Sequence, residues 1–231
     1  MPINLLKYMS NRMQEDCSEK KEPGPVITIS RLHGCPGNKV AKKLADELTL
    51  KMEVKGYKNL KWKIVSKEII SESARALNME PQKIQYIFDY EQKGIIDDVF
   101  SSHLNKYYKS DRKIRNTVAK VIRNIACEGY AVIIGRAGVV IAHDIARSLH
   151  INLEAPEEWR ILRISEKHSV SMEEAKRMVR ETDKKRRQFR EYFEGKNTDY
   201  LRFDLSFNCM TLSVDEIVSI IIRTAELKKL H

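Results

Sequence analysis

The sequence has no Cys-x-x-C pair: its four cysteines, Cys17, Cys35, Cys127 and Cys209, lie far apart. That scatter argues against a zinc site and fits reduced thiols in a cytoplasm. The six histidines show no ligand spacing, so no residue is assigned to a metal. No apolar run approaches the ~18 residues of a membrane helix. The start, Met1-Pro-Ile-Asn-Leu-Leu-Lys7, has neither the basic opening nor the sustained apolar stretch of a signal peptide. No repeat or low-complexity tract stands out. The expectation is a globular, cytoplasmic protein without a membrane partner.

What is present is a basic chain of 231 residues, 42% hydrophobic and 32% charged, with a net charge of +10. That length suits one core with insertions. The charge would attract phosphorylated small molecules, nucleic acid or anionic membrane, and also fits a merely solubilising surface. Residues 1–24 read as a peripheral segment. Ile3, Leu5, Leu6, Met9 and Met13 could form a short amphipathic turn or two, and a charged linker then closes on Pro23-Gly24-Pro25. The core domain is expected over residues 25–231.

Apolar, β-branched runs predict five strands, at Val26–Ile29, Trp62–Val65, Tyr130–Ile134, Leu149–Leu153 and Phe203–Phe207. Helical stripes separate them. One follows Asn38, one holds Ile69, Ile70, Ala74 and Leu77, and one starts at Pro81 with Ile84, Ile87 and Phe88. A longer helix carries Ile114, Val118, Val121, Ile122 and Ile125, with Asp111 as its cap and Gly129 as its stop. Ser171-Met-Glu-Glu174 and Ser213-Val-Asp-Glu216 are capping-box patterns that open two further helices. Strands alternating with helices predict an α/β fold with a parallel sheet, whose ligands gather beyond the carboxyl ends of the strands.

Three stretches fall at those ends. After the first strand comes Arg31-Leu-His33-Gly34-Cys35-Pro36-Gly37-Asn38-Lys39. Strand, glycine loop and helix together can hold phosphate, because loop N–H groups and the positive helix end point into one concavity. A Walker loop would end in Gly-Lys-Ser/Thr, whereas here Asn38 follows Gly37 and Lys39 comes one place late. A tight turn that needs two glycines explains the pattern equally well. Gly135-Arg136 follows the third strand. The third stretch, residues 176–190, carries eight basic and two acidic residues, with Arg180, Lys184 and Arg187 on one helical face. Such a segment either contacts polyphosphate or is a solvated face; arginine suits phosphate because its fork matches two oxygens at once.

Five ordered motifs resemble the cytidylate-kinase-like family, a branch of the P-loop nucleoside monophosphate kinases. They are Ile27-Thr-Ile-Ser-Arg31 with Gly34-x-x-Gly37-x-x-Val40-Ala-x-x-Leu44, then Ile133-Ile-Gly-Arg136-Ala-Gly138, then Leu153-x-Ala155-Pro-x-Glu158-x-Arg160, then Asp183-Lys-x-Arg186-x-x-Phe189, and finally Phe203-Asp204-Leu205-x-x-Asn208. The resemblance implies a three-layer α/β/α core on a five-stranded parallel sheet, a helical monophosphate-binding insertion near 66–128 and a helical lid near 166–198. It implies transfer of the ATP γ-phosphate, with Mg²⁺, to a nucleoside monophosphate such as CMP or dCMP. It makes Arg31, His33, Gly34, Cys35, Pro36, Gly37, Asn38 and Lys39 the phosphate loop, puts Gly135 and Arg136 near the acceptor, and makes Arg180, Arg186 and Arg187 lid arginines that close on the transferring group. Arg190, outside the motif, is expected to be a same-charge bystander.

Two departures stand out. The Lys-Ser/Thr end of the loop is absent, so the phosphate cation and the magnesium hydroxyl have no assigned residue, and Ser66 stands where relatives often carry an acid. Two alternatives therefore remain beside the kinase: a non-catalytic nucleotide-binding or regulatory protein, and a nucleic-acid binder using the basic helix. The latter would normally interleave aromatics with its cations, and only Phe189, Tyr192 and Phe193 do so here.

Overall fold

Val26, Ile27, Thr28 and Ile29 are each almost fully buried at the centre of a sheet, as expected of a β-branched run covered on both faces. This strand, β1 (Val26–Arg31), pairs in parallel with β3 (Ala131–Ile134) on one side and β4 (Ser148–Glu154) on the other. Strand β2 (Lys63–Val65) lies beyond β3 and β5 (Leu205–Asn208) beyond β4. The order is β2-β3-β1-β4-β5 and every pairing is parallel. The computed structural model describes residues 23–66, 68–78, 105–194 and 202–230. The N-terminal segment and the helix expected from Pro81 lie outside that set.

Alternate strand residues feed two cores. Ile27, Ile29, Val132, Leu149 and Ile151 pack against α1 (Gly37–Val54) and α7 (Val214–Leu227). Val26, Ala131 and Ile133 pack against α2 (Glu68–Leu77), α3 (Asn105–Glu128) and the short α4 (Gly138–Ile141). The result is helix, sheet and helix in three layers. The stripe Val40, Ala41, Leu44, Ala45, Leu48 and Met52 is the buried face of α1, each large side chain contributing about 1.5–3 kcal/mol by leaving water. Two further helices, α5 (Glu157–His168) and α6 (Met172–Glu194), share a small core of Ile161, Ile164, Ala175 and Val179. At α7, Ser213 and Glu216 form the full capping box. At α6, Ser171 Oγ accepts from Glu174 N at 3.2 Å.

Two expectations are corrected here. Helix α3 begins at Asn105, so Asp111 sits in its second turn instead of capping it. The apolar stripe starts only at Ile114, and periodicity registers the buried part of a helix, not its polar lead-in. The four cysteines are not all reduced: Cys127 is disulfide-bonded, whereas Cys35 and Cys209 are free.

One buried polar group in the sheet has a pH consequence. His150 accepts or donates at both ring nitrogens, 2.7 Å from Thr28 Oγ1 and 3.1 Å from Ser148 Oγ, and its backbone N–H donates to Asp204 Oδ2 at 2.7 Å. Burial pushes its pKa down to about 4. The unfolded chain therefore binds a proton, near pH 6.5, that the folded chain refuses until about pH 4. Stability should be fully present above pH 6.5 and fall as the pH drops toward 4, with a slope of about 1.4 kcal/mol per pH unit for each such proton. Urea midpoints at pH 7 and pH 5 check this, and His150→Gln should flatten the slope by about one proton; an unchanged slope would assign the acid loss elsewhere.

Candidate functional site

The carboxyl ends of β1 and β3 open onto a cavity of about 330 Å³, roofed by α6. Ser30 and Arg31 line it from β1, Gly135, Arg136 and Ala137 from the loop after β3, and Thr182, Lys185, Arg186, Phe189 and Arg190 from α6. The lining holds five cations and no carboxylate.

The β3 loop is shaped for this place. Gly135, Arg136 and Ala137 take three successive left-handed conformations, with φ of 66°, 54° and 55°. For the two that are not glycine this costs on the order of 1–3 kcal/mol each, and packing must maintain it. At Gly135 a Cβ would lie 1.9 Å from Arg31 Nη1. The turn thus brings backbone against the Arg31 guanidinium where any side chain would displace it.

Arg31 is the electrostatic centre. Burial first, then Arg186 and Arg136, pull its pKa down to about 9, opposed by Asp183. The guanidinium remains charged at neutral pH, and a nearby anion would favour its charged form. Arg186 donates to the Arg31 carbonyl at 3.0 Å; its own pKa is lowered by burial and raised by Asp183. Burial also lowers Arg190, followed by Arg202, and its buried Nε has no partner among the described residues.

The glycine loop beside this cavity is already clamped. Asp183 Oδ1 accepts the His33 N–H at 2.7 Å, and Arg160 Nη1 donates to Asp183 Oδ2 at 2.6 Å and to the His33 carbonyl at 3.0 Å. Arg160 is buried and Asp183 largely so, with side chains 7% and 12% exposed. Arg163 Nε donates to the Gly34 carbonyl at 3.3 Å. Gly34, at φ 95°, lets the loop approach α5 so closely that a Cβ would meet Arg160 Cβ at 2.9 Å. The turn's glycine is therefore used for packing, and a carboxylate sits on the amide where a phosphate oxygen was expected. His33 is held neutral, its pKa lowered to about 4 by burial and then by Arg186.

Of the residues singled out by sequence, Arg31, Gly135, Arg136 and Arg186 come together on the cavity. His33, Gly34, Cys35 and Pro36 form the clamped turn, Gly37 is buried at the start of α1, and Asn38 and Lys39 are exposed in its first turn. Arg180 does not reach the cavity; it is exposed and donates to Glu157 at 2.9 Å. Arg187 is exposed and outside the lining. The face shared by Arg180, Lys184 and Arg187 points to solvent, while Thr182, Lys185, Arg186, Phe189 and Arg190 face inward. Arg190, expected to be a bystander, lines the cavity. The sequence signal for the inward face was the apolar stripe Ala175, Val179, Phe189 and Phe193 on α6, on which Arg186 falls.

The donor set fits a phosphate-bearing ligand. It offers a magnesium ion no ligand of its own: the lining lacks a carboxylate, Asp183 is committed to His33 and Arg160, and no cluster of three metal-ligating side chains occurs among the described residues.

Removing one partner of the clamp leaves a buried charge alone. Asp183→Ala should therefore destabilise the fold by about 3 kcal/mol or more, whereas Arg160→Met with Asp183→Leu should recover part of that loss. Urea midpoints of Asp183→Ala, of Arg160→Met and Asp183→Leu singly, and of the double variant check this. Additive losses would mean that the pair does not act as a unit.

Comparison with curated proteins finds no match. Among solved structures, an uncharacterized protein from Eubacterium ventriosum ATCC 27560 superposes with a TM-score of 0.57 at 21% identity, over 87% of this chain and 97% of that one. The likeness carries the fold and no activity. The sequence profile of the cytidylate kinase-like family matches residues 57–211. That span holds Arg136, Arg160, Asp183, Arg186 and Arg190 but begins after the glycine loop. With the three-layer parallel fold and the motif residues Arg31, Arg136 and Arg186 gathered on one cavity, the chain belongs to the cytidylate kinase-like family.

Proposed function

We propose that the protein is a nucleotide phosphotransferase that moves the ATP γ-phosphate to a nucleoside monophosphate, CMP or dCMP, with Mg²⁺ carried in on the nucleotide. The observation that carries this reading is the crowding of Arg31, Arg136, Lys185, Arg186 and Arg190 around a cavity of nucleotide-fragment size at the carboxyl edge of the sheet. ATP supplies the phosphoryl group, and the metal that accompanies it neutralises phosphate charge. The chain supplies position and countercharge, which dominate in this chemistry.

In this reading Arg31 and Arg136 hold the acceptor's phosphate from the sheet side, and Arg186 and Arg190 close on it from α6. Phe189 offers the base or sugar an apolar wall. The ATP phosphates lie along residues 33–39 and the N-terminus of α1, which has neither a side-chain cap nor an acidic residue in its first turn. For them to reach the His33 amide, Asp183 must let go of it. Closure of α6 would then exclude water from the transferring group. A cytoplasmic location goes with these substrates; the free Cys35 and Cys209 support it, and the Cys127 disulfide counts against it.

One observation favours a second reading, a nucleotide-binding protein without turnover. The loop lacks Gly-Lys-Ser/Thr, and its first amide is occupied by Asp183. The nucleic-acid alternative loses ground, because Lys185, Arg186 and Arg190 turn into the cavity instead of extending the exposed face.

ADP production from ATP and Mg²⁺ across a panel of monophosphates decides between the first two. Turnover is expected with a cytidine monophosphate. Arg136→Ala should raise the monophosphate KM about tenfold, a loss of one bidentate contact of roughly 1.4 kcal/mol, with ATP affinity nearly unchanged. Arg186→Ala should lower kcat and kcat/KM together by roughly 10³-fold, while Arg187→Ala should cost little. Binding of nucleotide with no turnover on any monophosphate would transfer the protein to the second reading.

A further inference from the structure

The glycine loop carries a chemical feature that phosphate binding does not use. Cys35, in the turn before α1, and Cys209, just beyond the end of β5, are distant in sequence, yet their side chains meet on one apolar core, each thiol perturbing the other. Both are free. Cys209 is buried, its backbone N–H donating to the Glu154 carbonyl at 2.8 Å, while Cys35 is half-buried and packs on the same core. A pair brought into contact by tertiary structure, with one member reaching toward solvent, is a dithiol. An isolated core cysteine would have no second sulfur to meet.

We propose that Cys35 and Cys209 are a site of reversible oxidation, closing to a disulfide that ties the glycine loop to the edge of β5. The polarity of the pair favours the reaction. Cys209 and burial push the Cys35 thiol up, while Cys35 brings the Cys209 thiol down and the nearby Arg163 guanidinium helps it further. The Cys209 sulfur is thus the better nucleophile. With a peroxide as oxidant, its thiolate attacks the peroxide oxygen and the O–O bond breaks, leaving a sulfenic acid and hydroxide, which takes up a proton to become water. The Cys35 sulfur then attacks the sulfenyl sulfur, the S–O bond breaks and a second water leaves with the Cys35 proton. Two thiols and one hydrogen peroxide become one disulfide and two waters. A small dithiol reductant reverses the step by exchange.

The consequence follows from the loop's place. Cys35 lies next to Gly34, whose carbonyl is held by Arg163 and whose Cα packs on Arg160. A covalent tie there would fix the turn against α5 and β5 whatever ligand the arginine cavity takes, so the chemistry stands or falls separately from the phosphotransferase reading.

The test uses the full-length protein. It is treated with one equivalent of hydrogen peroxide, its remaining thiols are alkylated, and it is digested without reduction and mapped by mass spectrometry. The expected product is a Cys35–Cys209 crosslinked peptide, lighter by two hydrogens than its parts, which disappears on treatment with dithiothreitol and does not form in Cys35→Ser. Recovery of Cys35 and Cys209 as separate alkylated thiols or separate sulfinic acids would overturn the proposal. So would a crosslink from either to another cysteine.

Discussion

Like charge held close together is the constraint on which this site depends. Two guanidinium groups about 4 Å apart repel by roughly 4 kcal/mol at the effective dielectric of a protein surface, and Arg31 has Arg136 and Arg186 for neighbours. A fold keeps such an arrangement only if other contacts hold the groups in place. Here they are identifiable. The Arg31 carbonyl accepts from Arg186, the glycine turn after β3 leaves room for the Arg31 guanidinium, and Asp183 partly offsets both Arg31 and Arg186. The sheet fixes Arg31 and Arg136 at the ends of adjacent strands, and α6 brings the remaining cations down onto them.

Asp183 joins the two halves of the site. Through His33 and Arg160 it fastens α6 to the loop between β1 and α1. The same carboxylate that steadies the arginines therefore occupies a loop amide that a nucleotide phosphate would need. Site assembly and loop availability are coupled through one side chain, with Arg186 Nη1 3.9 Å from the same Asp183 Oδ1 that His33 uses. In the proposed reaction phosphate and carboxylate would compete for one donor, which would give α6 a physical reason to move.

Much of the fold was legible in the sequence because its strands are short apolar runs and its helices carry 3.6-residue stripes. All five strands lie where β-branched residues predict them, and the capping box at Ser213 and Glu216 forms as written. The start of α3 was not legible, since its polar first turns bury nothing that a stripe could reveal. In the site, Arg31, Arg136 and Arg186 could be found from their positions after buried strands and in a motif. Arg180 and Arg187 could not be sorted from Lys185 and Arg190 by charge alone, because charge does not say which face of α6 is covered. The apolar residues of α6 say so: Phe189 and Phe193 pack on the core beside α3 and turn the Arg186 face inward. The clamp by Arg160 and Asp183 was beyond reach for another reason. It joins residues 23 positions apart with a loop 127 positions from Arg160, and no local pattern encodes such a meeting.

The central claim is that the arginine cavity is a receptor for a phosphate group. Titration calorimetry of the protein with CMP and with cytidine, at one salt concentration, tests it most directly. The two ligands differ only in the group that the five cations would contact. Binding of CMP at least 100-fold tighter than cytidine, about 2.7 kcal/mol, and weakening with added salt, is the result expected. Equal affinities for the two, or binding of neither, would contradict the account.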